Sequence, residues 1–380
     1  MTLSDFDDIR PYSEGEMRAA FESLLADRQF DKILSSFIPL PRAIRNSLLR
    51  LCFIGIKTPL DYQKRLMKPL VYHFLHKGTT GYSCHFPPSL GRQQNYLFMS
   101  NHRDIVLDSA FLSVFLMKEG FSTSVEIAIG DNLLIHPWIR TFVKMNKSFT
   151  VNRGLTPKEM LRSSIHMSQY IHFAINEKRE NIWIAQREGR AKDSNDRTQE
   201  SVLKMLNMGG PTPGKTTADI IANLRDLNIV PLAISYEYDP CDFLKAKEFQ
   251  CKRDIPGWKK SKQDDLDNMK TGIWGKKGHV HYEAADCING WLDTLDASKI
   301  EKADIYRIVA EHIDHEIHRN YRIYDINRDA LAGKTNAYIE SRVKMVNVEN
   351  PDTDFLREKI TAMYANPLRN HETASKANGQ

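Results

Sequence analysis

The chain has 380 residues, 41% hydrophobic and 27% charged, with a formal net charge of +5. This is a soluble, globular composition, long enough for one large core or two ordinary domains. No apolar run approaches the ~20 residues that span a bilayer, since the best stretch, 48–56, is interrupted by Arg50. The first residues are acidic, which argues against a signal peptide. Five scattered cysteines with no Cys-x-x-Cys pair point to a reduced, cytoplasmic compartment.

Residues 1–80 read as helical, broken by Pro39, Pro41, Pro59 and Pro69. Between Leu40 and Gly78 stand eight Lys or Arg and one acid, Asp61, interleaved with residues such as Leu48, Leu51, Phe53 and Ile54. Such a basic, amphipathic region suits an anionic membrane surface, or equally a helical subdomain with a solvated basic face. From residue 81 the texture becomes that of an α/β layer architecture. Strands are expected over 96–100, 125–129, 148–152, 181–186, 229–235 and 278–283, with helices over 106–119, 157–176 and 217–226. Thr156, Pro157 and Glu159 form a helix start signal. The polar stretch 193–215 reads as a surface loop around a short helix at 199–207. Residues 245–270 read as surface helix, and a helix at 300–320 should pack back on the core. The expected divisions are a basic N-terminal helical region to 80, an α/β domain over 81–325, a helical extension over 326–365 and a disordered tail over 366–380.

Four blocks at predicted strand ends carry the chemistry. The first runs Ser100-Asn101-His102-Arg103-Asp104-Ile105-Val106-Leu107-Asp108. It puts His102 at a strand-to-helix turn with a carboxylate in reach, the minimum for a general base that activates a hydroxyl. The second ends Phe149-Thr150-Val151-Asn152-Arg153-Gly154, the third is Gln186-Arg187-Glu188-Gly189-Arg190-Ala191-Lys192, and the fourth is Val230-Pro231-Leu232-Ala233-Ile234-Ser235. Strand C-terminal ends line the ligand crevice of open α/β sheets. A base beside clusters of Arg and Lys there implies an anionic substrate, most simply a phosphate. Gly189 lets backbone N–H groups approach that anion. Asp131 and Asn132 read as helix caps, Lys147 as solvated, Tyr236 and Glu237 as a strand end near the site. His279 and His281 read as structural or surface residues, and no metal site is expected.

Taken in order, these blocks resemble the four motifs of glycerolipid acyltransferases, the superfamily of glycerol-3-phosphate and 1-acylglycerol-3-phosphate acyltransferases. The resemblance covers roughly residues 90–240. It implies a central mixed β-sheet flanked by helices. His102 would be the general base and Asp108 its partner, with Arg153, Arg187, Glu188, Gly189 and Arg190 holding the acceptor. Three features depart from the family pattern. Five residues separate His102 from Asp108 instead of four, which brings in Asp104 as a rival partner, with Asp108 preferred. Gln186 and Arg187 replace the usual aromatic-Pro before Glu-Gly. No transmembrane anchor is seen, so the basic N-terminal helices would do the docking.

The resemblance implies transfer of a fatty acyl group from acyl-CoA or acyl-ACP to a hydroxyl of 1-acylglycerol-3-phosphate or glycerol-3-phosphate. No bound cofactor is expected. Backbone N–H groups at the helix start near His102 are the expected oxyanion donors. The expected partners are the thioester's coenzyme A or acyl carrier protein and an anionic membrane, at the inner face of the cytoplasmic membrane. No nucleic-acid module is recognisable. The rival readings are acylation of a lyso-amino-acid lipid and a non-catalytic lipid-binding protein.

Overall fold

β2 (Leu97–Ser100) is buried at every position in the middle of a seven-stranded sheet. The other strands are β1 (Gly81–His85), β3 (Val125–Gly130), β4 (Ser148–Val151), β5 (Asn181–Ala185), β6 (Ile229–Tyr236) and β7 (His279–Ala284). Their order is β1-β7-β6-β2-β5-β3-β4. Every pair is parallel except β6 with β7, so the sheet is mixed. Parallel strands covered on both faces read as unbroken apolar runs, as Leu97-Phe98-Met99 and Val230-Pro231-Leu232-Ala233-Ile234 do. This computed structural model describes residues 1–377.

Helix Leu107–Lys118 covers one face, where Phe111 and Phe115 meet Phe98 and Tyr282. Helices Pro157–Asn176, Glu200–Asn207, Thr217–Arg225 and Ile305–Arg319 cover the other, around Ile171, Leu206, Leu224 and Ile313. Thr156 and Glu159 form the capping box that starts the 20-residue helix Pro157–Asn176. Helices Met17–Ala26, Arg28–Phe37 and Arg42–Phe53 share a smaller core with helix Pro137–Met145. A third core joins helices Asp325–Leu331, Ala337–Val343 and Thr353–Ala377.

Several expectations need correction. Residues 366–377 are helical rather than disordered, ending helix Thr353–Ala377, and residues 378–380 lie outside the described residues. The start of the polar stretch 193–215 is not simply a surface loop, since Ser194, Asp196 and Thr198 are buried while Asn195 and Arg197 are exposed. Asp314 accepts the Thr198 N–H and hydroxyl, each at 2.7 Å, and Tyr321 donates to Asp196 at 2.8 Å. The surface helix of 245–270 is two helices, Asp242–Asp254 and Lys262–Trp274, and Lys245 is fully buried against Asp239. Lys147 is 1% exposed, with Nζ donating to Thr123 (2.8 Å), Ser124 (3.2 Å) and Glu180 (2.6 Å). It is a satisfied buried cation, not a solvated side chain.

Candidate active site

Strand pairing between β2 and β6 stops at Ser100 and Leu232. Asn101 carries the link onward with its side chain. Its amide donates to the Ile234 carbonyl and accepts the Ile234 N–H, both at 2.8 Å. The turn bearing His102 is thereby pinned to the end of β6. The His102 ring stands edge-on to Trp183 at 5.3 Å, and Trp183 donates to Ser100 Oγ at 2.9 Å.

His102 Nδ1 lies 2.8 Å from Asp108 Oδ2. A carboxylate can only accept here, so Nδ1 carries the proton and Nε2 keeps the lone pair. Asp108 is fully buried. Its Oδ2 also accepts the N–H groups of Arg103 (2.6 Å) and Asp104 (3.0 Å), and its Oδ1 accepts the Tyr236 hydroxyl at 2.9 Å. These bonds compensate the burial of the charge. Asp104 is engaged elsewhere, since its Oδ1 caps the following helix through the N–H groups of Val106 and Leu107, at 2.9 and 2.8 Å. Burial above all, then repulsion from Asp108, raises the Asp104 carboxyl from its ordinary range. The five-residue spacing thus gives each acid its own place, and the one beside His102 is Asp108.

The same bonds take up four of the expected oxyanion donors. The N–H groups of Arg103, Asp104, Val106 and Leu107 are all engaged by carboxylates.

The basic residues fall into two places. Beyond β4, Arg153 donates its backbone N–H to Asp131 (3.1 Å), and its guanidinium pairs with Glu188 from beyond β5. Burial lowers the Arg153 pKa, with Asp131 opposing. Glu188 is mostly exposed and Arg187 half-buried. Gly189 has φ +68°, a conformation natural to glycine, and it turns the chain so that Arg190 points inward. Arg190 is 7% exposed and donates to Asn268 Oδ1 at 2.8 Å. The expected clamp of Arg153, Arg187 and Arg190 is therefore divided: Arg153 meets Glu188, while Arg190 meets the helix Lys262–Trp274. Only Asn268 and Gly272 of that helix are buried. A Cβ on Gly272 would collide with Asp104 Oδ2, so glycine alone permits this approach.

Buried polar atoms with no protein partner gather at these strand ends. They include Arg103 Nη1, Arg153 Nε, Arg187 Nε, Arg190 Nη1 and both amide atoms of Gln186. Most are donors, a set suited to an anion.

Residues 82–235 match the family model described as Acyltransferase. Over that span the chain is similar to acyltransferases. The matched span holds all four blocks and ends one residue before Tyr236. Among solved structures, the 1-acyl-sn-glycerophosphate (LPA) acyltransferase PlsC from Thermotoga maritima is similar over 78% of this chain and 93% of its own. The identity is 10% and the TM-score 0.37. Comparison with curated proteins gives no match.

Around the site, the sequence places Tyr236 at a strand end but does not show its bond to Asp108, and it shows Asn101 only as a turn residue. Both contacts depend on the β2–β6 register, for which a single chain gives no local signal. His281 contacts Ser83 (2.7 Å) and Glu283 (2.9 Å), as a structural residue would.

Proposed function

We propose that the protein moves a fatty acyl group from acyl-CoA or acyl-ACP to a hydroxyl of 1-acylglycerol-3-phosphate or glycerol-3-phosphate, with His102 as general base. The observation that carries this reading is the 2.8 Å bond between His102 Nδ1 and a buried, fully bonded Asp108. The acceptor hydroxyl gives its proton to Nε2 as its oxygen attacks the thioester carbonyl. The tetrahedral oxyanion then collapses, the C–S bond breaks, and the thiolate takes the proton back from the imidazolium. Asp108 stabilises that imidazolium. The acceptor phosphate is assigned to the guanidinium groups of Arg153, Arg187 and Arg190, which the anion would have to draw together from the two places they occupy, with Gly189 allowing close approach of the backbone. Glu188, in this reading, holds Arg153 until the anion displaces it.

The test is acyl transfer by purified protein, offered a thioester with glycerol-3-phosphate, its 1-acyl form or a lyso-amino-acid lipid, with products read by mass spectrometry. Phosphate-bearing product is expected. Product from the amino-acid lipid alone would move the Arg cluster to a carboxylate. No product from either thioester would leave the binding-protein reading.

The acyl chains call for a membrane surface. No helix among the described residues is long and apolar enough to cross a bilayer. Ile44, Leu48 and Leu51 sit at helical spacing on an exposed face of Arg42–Phe53, continued by Ile33, Phe37, Leu40 and Ile54. Trp274 stacks on Phe37 at 5.7 Å and extends the patch. Exposed Arg42, Lys57, Lys64 and Arg65 stand near it in the chain. Arg45 does not contribute, being buried against Asp31. We assign this face to the anionic inner surface of the cytoplasmic membrane. Vesicle binding should require anionic lipid and fall with salt, and Leu51→Asp should weaken it about tenfold or more. Binding indifferent to lipid charge would remove the assignment.

A further inference from the structure

We propose that Tyr236 is a positioning residue of the His102–Asp108 pair, setting the angle and the basicity of the Asp108 carboxylate. The proposal rests on the reading of that pair as the catalytic base. The two oxygens of Asp108 differ in what holds them. Oδ2 is held by His102, Arg103 N–H and Asp104 N–H, all from one short turn. Oδ1 is held by the Tyr236 hydroxyl at 2.9 Å, from the far end of β6. Local bonds alone would let the carboxylate move with its turn. The tyrosine ties it to the sheet, and the two Asn101–Ile234 bonds tie the turn to the same strand end.

Tyr236 is 7% exposed. Burial first, then the Asp108 charge, holds its phenol well above the ordinary range, so it remains a donor at working pH. A hydroxyl bonded to a carboxylate draws off part of its negative charge. Removing that bond would leave more of the charge on Asp108 to stabilise the imidazolium. The other charged or titratable groups that bear on Asp108 or share its field are Asp104 and Arg103 on the turn, Lys277 before β7 and Tyr282 on β7.

Tyr282 supplies an internal control. It is fully buried, and its hydroxyl also reaches Asp108, but at the main-chain oxygen, 3.0 Å away. One tyrosine holds the carboxylate, the other the backbone of the same residue.

The experiment measures kcat, KM and the pH dependence of kcat/KM for the wild type, Tyr236→Phe, Tyr282→Phe and His102→Ala. Tyr236→Phe should lose about tenfold in kcat with both KM values nearly unchanged. Its acid limb should move up by about half a pH unit, because the freed oxygen holds the imidazolium more tightly. Tyr282→Phe should keep the wild-type acid limb. Fluorotyrosine at 236, a stronger donor of the same shape, should move the limb down, and it serves if Tyr236→Phe folds poorly. Coincident acid limbs for Tyr236→Phe and wild type, or equal displacement in both phenylalanine variants, would overturn the proposal. Full activity in His102→Ala would remove the base itself. An inactive His102→Ala beside an unmoved Tyr236→Phe limb would remove only the role of Tyr236.

Discussion

Alanine at position 102 is expected to lower the rate of acyl transfer by about 10²–10⁴-fold, the usual contribution of a positioned general base. The protein should remain folded. His102 is a nearly buried ring at a turn, and the turn keeps its other ties: the Asn101–Ile234 bonds and the backbone bonds to Asp108. KM for both substrates should change little, since the imidazole acts on a proton in flight. The measurement is kcat for product formation with circular dichroism on the same samples. A folded, fully active variant would exclude His102 as the base. Asp108→Asn is a less clean test. The carboxylate accepts four donors, and an amide presents one accepting oxygen and two N–H groups. The amide keeps the three bonds at Oδ2 only if its NH2 faces Tyr236, whose hydroxyl must then turn round to accept, and the charge beside the imidazolium is gone, so stability should fall together with the rate.

The His-Asp pair was legible because it is local. Six residues and one change of periodicity put both side chains on one strand-to-helix turn. Six of the seven strands were legible for a different reason: a parallel sheet covered on both faces demands apolar runs, and Leu97-Phe98-Met99 has no other economical use. β1 escaped notice because Gly-Tyr-Ser-Cys-His pairs only with β7 at the edge of the sheet and needs little apolar character. Lys147 was misread because its three partners, Thr123, Ser124 and Glu180, come from distant parts of the chain. Polarity in 193–200 looked like exposure. In the fold the polar groups answer one another across the core, with Asp196 on Arg103 and Tyr321 and Thr198 on Asp314. The helical residues 366–377 were hidden for a similar reason. Their composition is polar, yet Ala374 is buried, and Asn370 and His371 bond to Asn195 and the His318 carbonyl. Composition reports how many polar groups a segment has; the fold decides whether they find one another.

Arg190→Lys is expected to raise KM for the acylated acceptor by about tenfold or more and to leave KM for the thioester unchanged, since a charge-assisted bond contributes about 1.5–3 kcal/mol. Lysine keeps the charge and loses the planar fork that matches a phosphate. The difficulty is that Arg190 is also buried, with Asn268 as a partner on a helix that buries only two residues. A purely structural arginine would show a lower melting temperature and no selective effect on either KM. Asn268→Ala separates the two roles. It removes the arginine's partner inside the protein without touching the guanidinium. If Arg190 binds the acceptor, Asn268→Ala should hold or lower the acceptor KM, because the anion no longer competes with the amide. If Arg190 only braces the helix, the two variants should lose stability alike and keep both KM values. Equal losses for acceptor and thioester in Arg190→Lys would count against the phosphate role, because a residue that grips one substrate has no reason to weaken the other.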